Sequence, residues 1–170
     1  MPNVESRVMG IDASLRSTGV GIVEARGSSL KAVAYDTIQS PGKAPLSECL
    51  RRLDERLTAL IERTEPGAAA VETAFFHRNV RTAMILGQVR GVAIAACARG
   101  GVPVYEYEPR RVKQAVVGFG GADKQQVRKM IMRLLRLREE PQEDAGDALA
   151  VAICHLHGRS RHDALGVKPI

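Results

Sequence analysis

Hydrophobic and polar residues along the first forty positions form three short blocks that predict β-strands. Apolar residues dominate residues 7–11, and two further blocks follow at residues 18–23 and 30–38, separated by short turns. Strands that follow one another so closely pair as an antiparallel meander. Two later apolar runs, at residues 68–71 and 102–107, have the length of buried strands.

Longer segments between and after these strands carry apolar residues at spacings of three and four, which predicts helices. The clearest follows Pro45, and its apolar stripe consists of Leu46, Cys49, Leu50, Leu53, Leu57, Leu60 and Ile61. Pro66-Gly67 ends this helix, and Gly100-Gly101 ends the next one. The remaining helices are predicted over residues 80–99, 109–117, 124–137 and 142–157.

The order of these elements predicts the fold class. Helices that connect successive strands require parallel crossovers, whereas the first three strands form hairpins. We therefore expect an α/β domain with a mixed five-stranded sheet, three antiparallel strands and then two parallel ones, flanked by helices on both faces. A single domain is expected over residues 1–158, and a polar, flexible tail over residues 159–170.

Composition agrees with one domain and indicates its setting. The 170 residues are enough for one core, which must be aliphatic because only 4% of residues are aromatic. The cysteines, Cys49, Cys97 and Cys154, lie far apart in apolar stretches, which indicates reduced thiols in the cytoplasm. The N-terminus lacks the apolar core of a signal peptide. No apolar stretch is expected to reach membrane-spanning length, so no membrane partner is expected.

Positive charge is concentrated in one segment. The whole chain has a net charge of +6, yet residues 110–138 contain nine lysine or arginine residues and a single acid, Asp123. A one-sided basic region favours a polyanion such as nucleic acid as its partner. A solvated helical surface is the alternative interpretation of such a basic run.

Four carboxylates are predicted to converge at one edge of the sheet. Asp12 ends the first strand and Glu72 ends the fourth, and sites in open α/β sheets lie at the carboxyl ends of strands. Asp144 and Asp147 share a face of the last helix because residues three apart are neighbours. Each acid also has a simpler interpretation, since Asp12 could form an Asx-turn and acids in a first helical turn are commonly capping groups.

Oxygen donors grouped in this way favour hard divalent cations such as Mg²⁺. Four carboxylates suit two Mg²⁺ ions about 4 Å apart, the arrangement used for phosphodiester hydrolysis. Lys113 and Lys124 are candidates for stabilising the charge that develops on the scissile phosphate. In the loop after Glu72, we expect Phe75 to stack on an unpaired base and Phe76 to fill the core beneath the loop.

Small residues form a row on the predicted helix over residues 80–99. Gly87 and Gly91 are four positions apart, with alanines nearby, so another backbone could approach this face closely. The sequence leaves two alternatives open, tight packing on the chain's own sheet and a helix-to-helix contact in a dimer.

Five segments together resemble the RuvC family of bacterial Holliday-junction resolvases, which have a ribonuclease-H-like fold. The resemblance extends from about Arg7 to His157, nearly the whole chain. Its segments are GID at residues 10–12, VETAF at 71–75, LGQVRG at 86–91, VKQAVVG at 112–118 and DAGDALA at 144–150.

The resemblance implies a homodimeric endonuclease that depends on Mg²⁺ or Mn²⁺ and resolves four-way DNA junctions in recombination and repair. Such an enzyme would cut two opposed strands symmetrically, leave 5′-phosphate and 3′-hydroxyl ends, and work with the RuvA/RuvB branch-migration complex. The residues that match the family's functional positions are the metal-binding acids Asp12, Glu72, Asp144 and Asp147, the lysines Lys113 and Lys124, and the base-stacking Phe75. Further DNA contacts are expected from Arg78, Arg110, Arg111 and Arg128.

One segment departs from the family pattern. RuvC proteins usually continue the first aspartate with Pro-Gly, whereas this chain has Ala13-Ser14. Serine adopts a positive φ less readily than glycine, so the turn after Asp12 is expected to differ.

Two other classes share parts of this pattern. Sugar kinases and actin-like ATPases also begin with a Gly-Ile-Asp strand. Their phosphate-binding turn usually needs a glycine after the aspartate, and they have two such lobes, whereas this chain has neither the glycine nor the length for two lobes. A non-catalytic DNA-binding module would explain the basic segment. It would not explain the four acids, because acids repel bound phosphates unless a metal ion lies between them.

Overall fold

The computed structural model describes residues 6–73, 79–165 and 167–170. Ten elements follow one another within these residues. In chain order they are β1 (Arg7–Asp12), β2 (Ser17–Arg26), β3 (Ser29–Gln39), α1 (Leu46–Thr64), β4 (Ala68–Glu72), α2 (Val80–Arg99), β5 (Val104–Tyr107), α3 (Pro109–Val117), α4 (Lys124–Leu135) and α5 (Glu143–Leu165).

The five strands form one mixed sheet in the order β3-β2-β1-β4-β5. Strand β2 pairs antiparallel with both β1 and β3, and β4 pairs parallel with both β1 and β5. The predicted fold class, with three antiparallel strands followed by two parallel ones, is therefore confirmed. Strand β1 lies at the centre of the sheet, and it is buried from Val8 to Ile11.

Helices cover both faces of the sheet. Apolar residues of α3, α4 and α5 pack against one face, around Leu149 and Ile153. The stripe of α1 and the inner side of α2 pack against the other face, around Leu57 and Val89. Helix α5 lies against β1 and β2, and its first turn contacts Gly19, which pairs with Asp12 at the carboxyl end of β1.

Two helix ends differ from the predictions. Helix α4 ends at Leu135 rather than at residue 137, because Arg136 adopts a left-handed conformation with φ of 52°. Helix α5 continues to Leu165, beyond the predicted end at His157. It enters the segment for which the sequence predicts a flexible tail, and the Ile170 backbone N–H donates a hydrogen bond to the Val104 carbonyl. The domain boundary at residue 158 stays a prediction.

Helix α2 corrects one expectation. It has 20 residues, and an 18-residue window within it has a mean hydropathy of 1.3, so it is long and apolar enough to cross a membrane by length and composition alone. The expectation that no stretch reaches this length is therefore wrong. The same helix packs its inner side on the sheet and carries Arg90, whose guanidinium binds Glu106 and the Glu72 carbonyl oxygen. These contacts identify α2 as a helix of the domain packed against its core.

Candidate active site

Asp12 and Glu72 lie side by side at one edge of the sheet. Strands β1 and β4 are parallel, and Ile11 on β1 pairs with Val71 on β4. The next residue of each strand is therefore an acid at the carboxyl end, as the sequence predicts. The backbone hydrogen bonds between β1 and β4 therefore fix the positions of the two residues that carry these carboxylates.

Helix α5 brings the other two acids to this edge because glycines let it lie directly on the sheet. A Cβ atom added to Gly10 would lie 1.8 Å from the Ala148 carbonyl oxygen, and one added to Gly19 would lie 1.8 Å from the Asp144 carbonyl oxygen. At Gly21, an added Cβ would lie 2.8 Å from the Leu149 side chain. Sequence reasoning missed these glycines, although glycine inside a strand often marks a close backbone approach.

The electrostatics of the site show that the four carboxylates converge. Burial raises the pKa of the Asp12 carboxyl to about 7, and three neighbouring negative charges add to the shift. In decreasing order of effect, these belong to Asp147, Glu72 and Asp144. Burial likewise raises the pKa values of Glu72 and Asp147 above their ordinary range. Carboxyl groups whose pKa values are raised in this way carry charge that no protein cation fully balances.

Both predicted lysines lie close enough to act on these acids. Lys124 lowers the pKa values of Asp12, Glu72 and Asp147, and Lys113 lowers that of Glu72, each opposing the larger effect of burial. Lys124 is the first residue of α4, and its Nζ atom lies 2.5 Å from Glu143 Oε1 at the start of α5. The capping box of α4, formed by Asp123 and Gln126, fixes the helix end that carries Lys124.

Of the described arginines predicted to contact DNA, Arg128 lies near enough to Asp147 to lower the pKa of its carboxyl group. Arg128 is on α4 and forms an ion pair of 2.9 Å with Glu140. Arg110 and Arg111 are in the first turn of α3, where the Arg111 guanidinium lies 5.5 Å from the centre of the Tyr107 ring. Phe75 and Arg78, like Phe76, lie outside the described residues.

A cavity of about 330 Å³ opens between the strand ends and α2. Asp12 and Glu72 line one side of it, and Leu86 and Gly87 of α2 line the other. Arg90 closes its base by donating a hydrogen bond of 2.5 Å to the Glu72 carbonyl oxygen. Arg90 is a second residue that sequence reasoning missed, because its partner is a backbone atom at the end of another element.

The donor chemistry of the site fits a hard divalent cation. Within the described residues, no three acidic, histidine or cysteine side chains are already closed around a single ion position. The group nevertheless offers only carboxylate oxygens, which Mg²⁺ and Mn²⁺ prefer. Their raised pKa values are the signature of negative charge that a cation would neutralise.

Comparison with known proteins agrees with this geometry. The family model described as crossover junction endodeoxyribonuclease RuvC matches residues 8–155. The chain belongs to the RuvC family. The RuvC of Chloroflexus aggregans is 46% identical over 162 residues, which are 95% of this chain and 99% of that protein. The RuvC of Halorhodospira halophila is 48% identical over 155 residues, which are 91% of this chain and 92% of that protein.

A solved RuvC structure extends the match to three dimensions. Thermus thermophilus RuvC, in complex with a Holliday junction substrate, superposes with a TM-score of 0.88 at 32% identity. The superposition covers 98% of this chain and 100% of that chain. The resemblance carried by the five sequence segments and the predicted ribonuclease-H-like fold are both confirmed.

The turn that departs from the usual RuvC pattern is closed by a buried threonine. The Ser14 backbone N–H donates to Thr18 Oγ1 at 3.2 Å, and this hydroxyl donates to the Ser14 carbonyl oxygen at 2.6 Å. Within the described residues, the only non-glycine residues with positive φ are Glu65 and Arg136. Ser14 therefore does not need the conformation that would favour glycine after Asp12.

Proposed function

We propose that this chain is a structure-selective endonuclease that resolves four-way DNA junctions in recombination and repair. It hydrolyses phosphodiester bonds symmetrically in two opposed strands and leaves 5′-phosphate and 3′-hydroxyl ends. The observation that carries the proposal is the convergence of four partly buried carboxylates beside Lys124, in a chain that belongs to the RuvC family.

Asp12, Glu72, Asp144 and Asp147 are the residues that would hold the metal. Bound there, a pair of Mg²⁺ ions, or Mn²⁺ in their place, would activate the attacking water and stabilise the leaving 3′ oxygen. The chain's contribution is a rigid set of oxygens from two strands and one helix, whose negative charge is concentrated by burial. Their raised pKa values make the site depend on pH, because protons and cations compete for the same oxygens.

Lys113 and Lys124 act on the substrate. Lys124 is exposed and paired only with an exposed acid among the described residues, so it is free to exchange Glu143 for a DNA phosphate. A lysine that contacts the scissile phosphate stabilises the negative charge that builds up during hydrolysis.

Further residues bind and distort the DNA. Arg78, Arg110, Arg111 and Arg128 contact the phosphate backbone, and Phe75 stacks on an unpaired base.

Two symmetric cuts require two active sites, so the active species is a homodimer. Helix α2 supports this proposal because its outer side is uncovered. Val80 and Met84 are 71% and 63% exposed, and Cβ atoms added to Gly87 or Gly91 would meet nothing within 4 Å. The alternative that these glycines serve tight packing on the chain's own sheet is therefore wrong. In the cytoplasm the dimer would act with the RuvA/RuvB branch-migration complex.

Cleavage of synthetic DNA tests this function. The chain should cut a four-way junction at symmetric positions with Mg²⁺, should not cut a linear duplex of the same sequence, and should cut neither in EDTA. Asp12→Asn should bind the junction with unchanged affinity and lose cleavage, since it removes one ligand charge and leaves the basic surface intact. Equal cutting of both substrates, or unchanged cleavage by Asp12→Asn, would contradict the proposal.

A further inference from the structure

The first turn of α5 is tied to the sheet by two side-chain hydrogen bonds. The Ser17 hydroxyl, at the start of β2, donates to Asp144 Oδ2. One strand away, Thr37 Oγ1 on β3 lies 2.5 Å from Gln142 Oε1, just before α5 begins. The two bonds span 127 and 105 residues of sequence and lie at the same end of the sheet.

Only one of these bonds ends on a carboxylate of the candidate site. Ser17 occupies Oδ2 of Asp144, and the other oxygen, Oδ1, accepts no hydrogen bond from the residues that the structure describes. A carboxylate restrained through one oxygen keeps its second oxygen available as a ligand. Thr37, by contrast, binds an amide that is not among the proposed ligands.

Asp144 needs such a restraint because its neighbours repel it. Its negative charge raises the pKa values of both Asp12 and Asp147, and like charges so close together repel one another. Backbone packing fixes only the main chain there, through the contact of Gly19 with the Asp144 carbonyl.

We propose that Ser17 is a positioning residue that holds the Asp144 carboxylate in the orientation in which it binds a divalent cation. This inference rests on the proposed function, since it concerns the same carboxylate site. Hydrogen-bond partners of metal ligands commonly change metal affinity or activity by about 10–100-fold when removed. Ser17 is a donor that neither touches DNA nor binds the metal in this proposal.

The matched variants are Ser17→Ala, Ser17→Thr and Thr37→Val. The first removes the hydroxyl from Asp144, the second keeps a hydroxyl on a β-branched residue that suits a strand, and the third removes the neighbouring bond to Gln142. Mn²⁺ is titrated into each protein without DNA, and free Mn²⁺ is followed by its electron paramagnetic resonance signal. The Mg²⁺ concentration that gives half-maximal junction cleavage is measured in parallel.

Ser17→Ala should weaken Mn²⁺ binding about 10-fold and raise the half-maximal Mg²⁺ concentration by a similar factor, with cleavage restored at high Mg²⁺. Ser17→Thr should restore both values to within about threefold, and Thr37→Val should leave both unchanged. Unchanged values for Ser17→Ala, or equal losses for Thr37→Val, would overturn the role of Ser17 while the unmodified chain still binds Mn²⁺ and cuts. If the unmodified chain does neither, the proposed function fails, and the inference fails with it.

Discussion

Asp12 on β1 and Asp147 on α5 are separated by most of the chain, yet the charge of Asp147 raises the Asp12 pKa more than any other charged group does. A partly buried pair of like charges opposes folding whenever both are ionised. The fold tolerates this repulsion because the β1–β4 ladder and the glycine contacts of α5 fix both backbones. The site is therefore electrostatically strained, which makes its stability depend on pH.

The first prediction concerns the stability of Asp12→Asn. The pKa of Asp12 is 3.8 in an unperturbed chain and about 7 in the folded protein, so the folded state holds the proton more tightly. Binding of this proton therefore stabilises the folded state relative to the unfolded state. The effect is fully present below pH 3.8 and is lost as the pH rises through about 7. At pH 8 the ionised carboxylate should lower the free energy of unfolding by about 2–4 kcal/mol, after allowance for partial exposure.

Asparagine cannot ionise, so Asp12→Asn should be more stable than the unmodified chain by about 2–4 kcal/mol at pH 8, and nearly equal to it at pH 4. Urea denaturation in EDTA at the two pH values measures the difference. Glu62→Gln, an exposed change on α1, is the control and should show no such dependence. If the variant is less stable than the unmodified chain at pH 8, ionisation of Asp12 does not lower the free energy of unfolding, and the prediction is wrong.

Much of this site was predictable from sequence because its acids stand at element ends. Periodicity placed Asp12 and Glu72 at the ends of β1 and β4, and parallel pairing then makes them neighbours. Sequence did not reveal how α5 reaches the sheet. That depends on Gly10 and Gly19, whose missing side chains matter only because another element lies against them.

Contacts between distant polar residues were equally hidden. Ser17 and Asp144 are joined across 127 residues, and Arg90 binds the Glu72 backbone. Neither pair has a local spacing signal, because hydrogen bonds between elements depend on the final packing. The extension of α5 beyond His157 was missed for a related reason, since its polar residues there lack an apolar period.

The second prediction tests the contact between Gly19 and α5. Gly19→Ala would place a Cβ atom 1.8 Å from the Asp144 carbonyl oxygen, so the helix must move away from the sheet. Overpacking of this kind costs about 1–3 kcal/mol. Cleavage should fall by at least about 10-fold, because small displacements of catalytic groups have effects of this size or larger.

Gly42→Ala is the matched control, since a Cβ atom there would meet nothing within 4 Å. Thermal denaturation and single-turnover cleavage of a four-way junction measure the two effects. A Gly19→Ala variant with the cleavage rate of the Gly42→Ala control would show that the position of the α5 first turn is not important for the reaction.

The third prediction separates the two members of the Lys124–Glu143 pair. Lys124→Ala should slow cleavage by at least about 10-fold and weaken junction binding by less than about threefold, because it removes charge stabilisation at one phosphate. Glu143→Gln should act in the opposite direction on binding. It frees the Lys124 ammonium and removes a negative charge that faces the DNA, so low-salt affinity should rise by about 2–5-fold.

Gel-shift titrations at two salt concentrations and single-turnover rates distinguish these effects. The gain from Glu143→Gln should shrink at high salt, because both side chains are exposed and their interaction is screened. Glu62→Gln again serves as the control for loss of a surface acid. Equal losses of binding and cutting in Lys124→Ala would make Lys124 a DNA-positioning contact only.

The fourth prediction concerns the outer side of α2. Gly91→Arg introduces a long charged side chain where an added Cβ atom has no neighbour within 4 Å, so the monomer fold should accept it. Arginine also favours a helix interior over glycine by about 1 kcal/mol. If a second copy packs on this surface, sedimentation should show a shift from dimer to monomer and paired junction cleavage should fall.

The control is Gly42→Arg, which lies in a loop with equal space. A Gly91→Arg protein that remains dimeric and cuts normally would place the dimer contact on another surface, because a guanidinium cannot be buried between two closely packed helices without a partner.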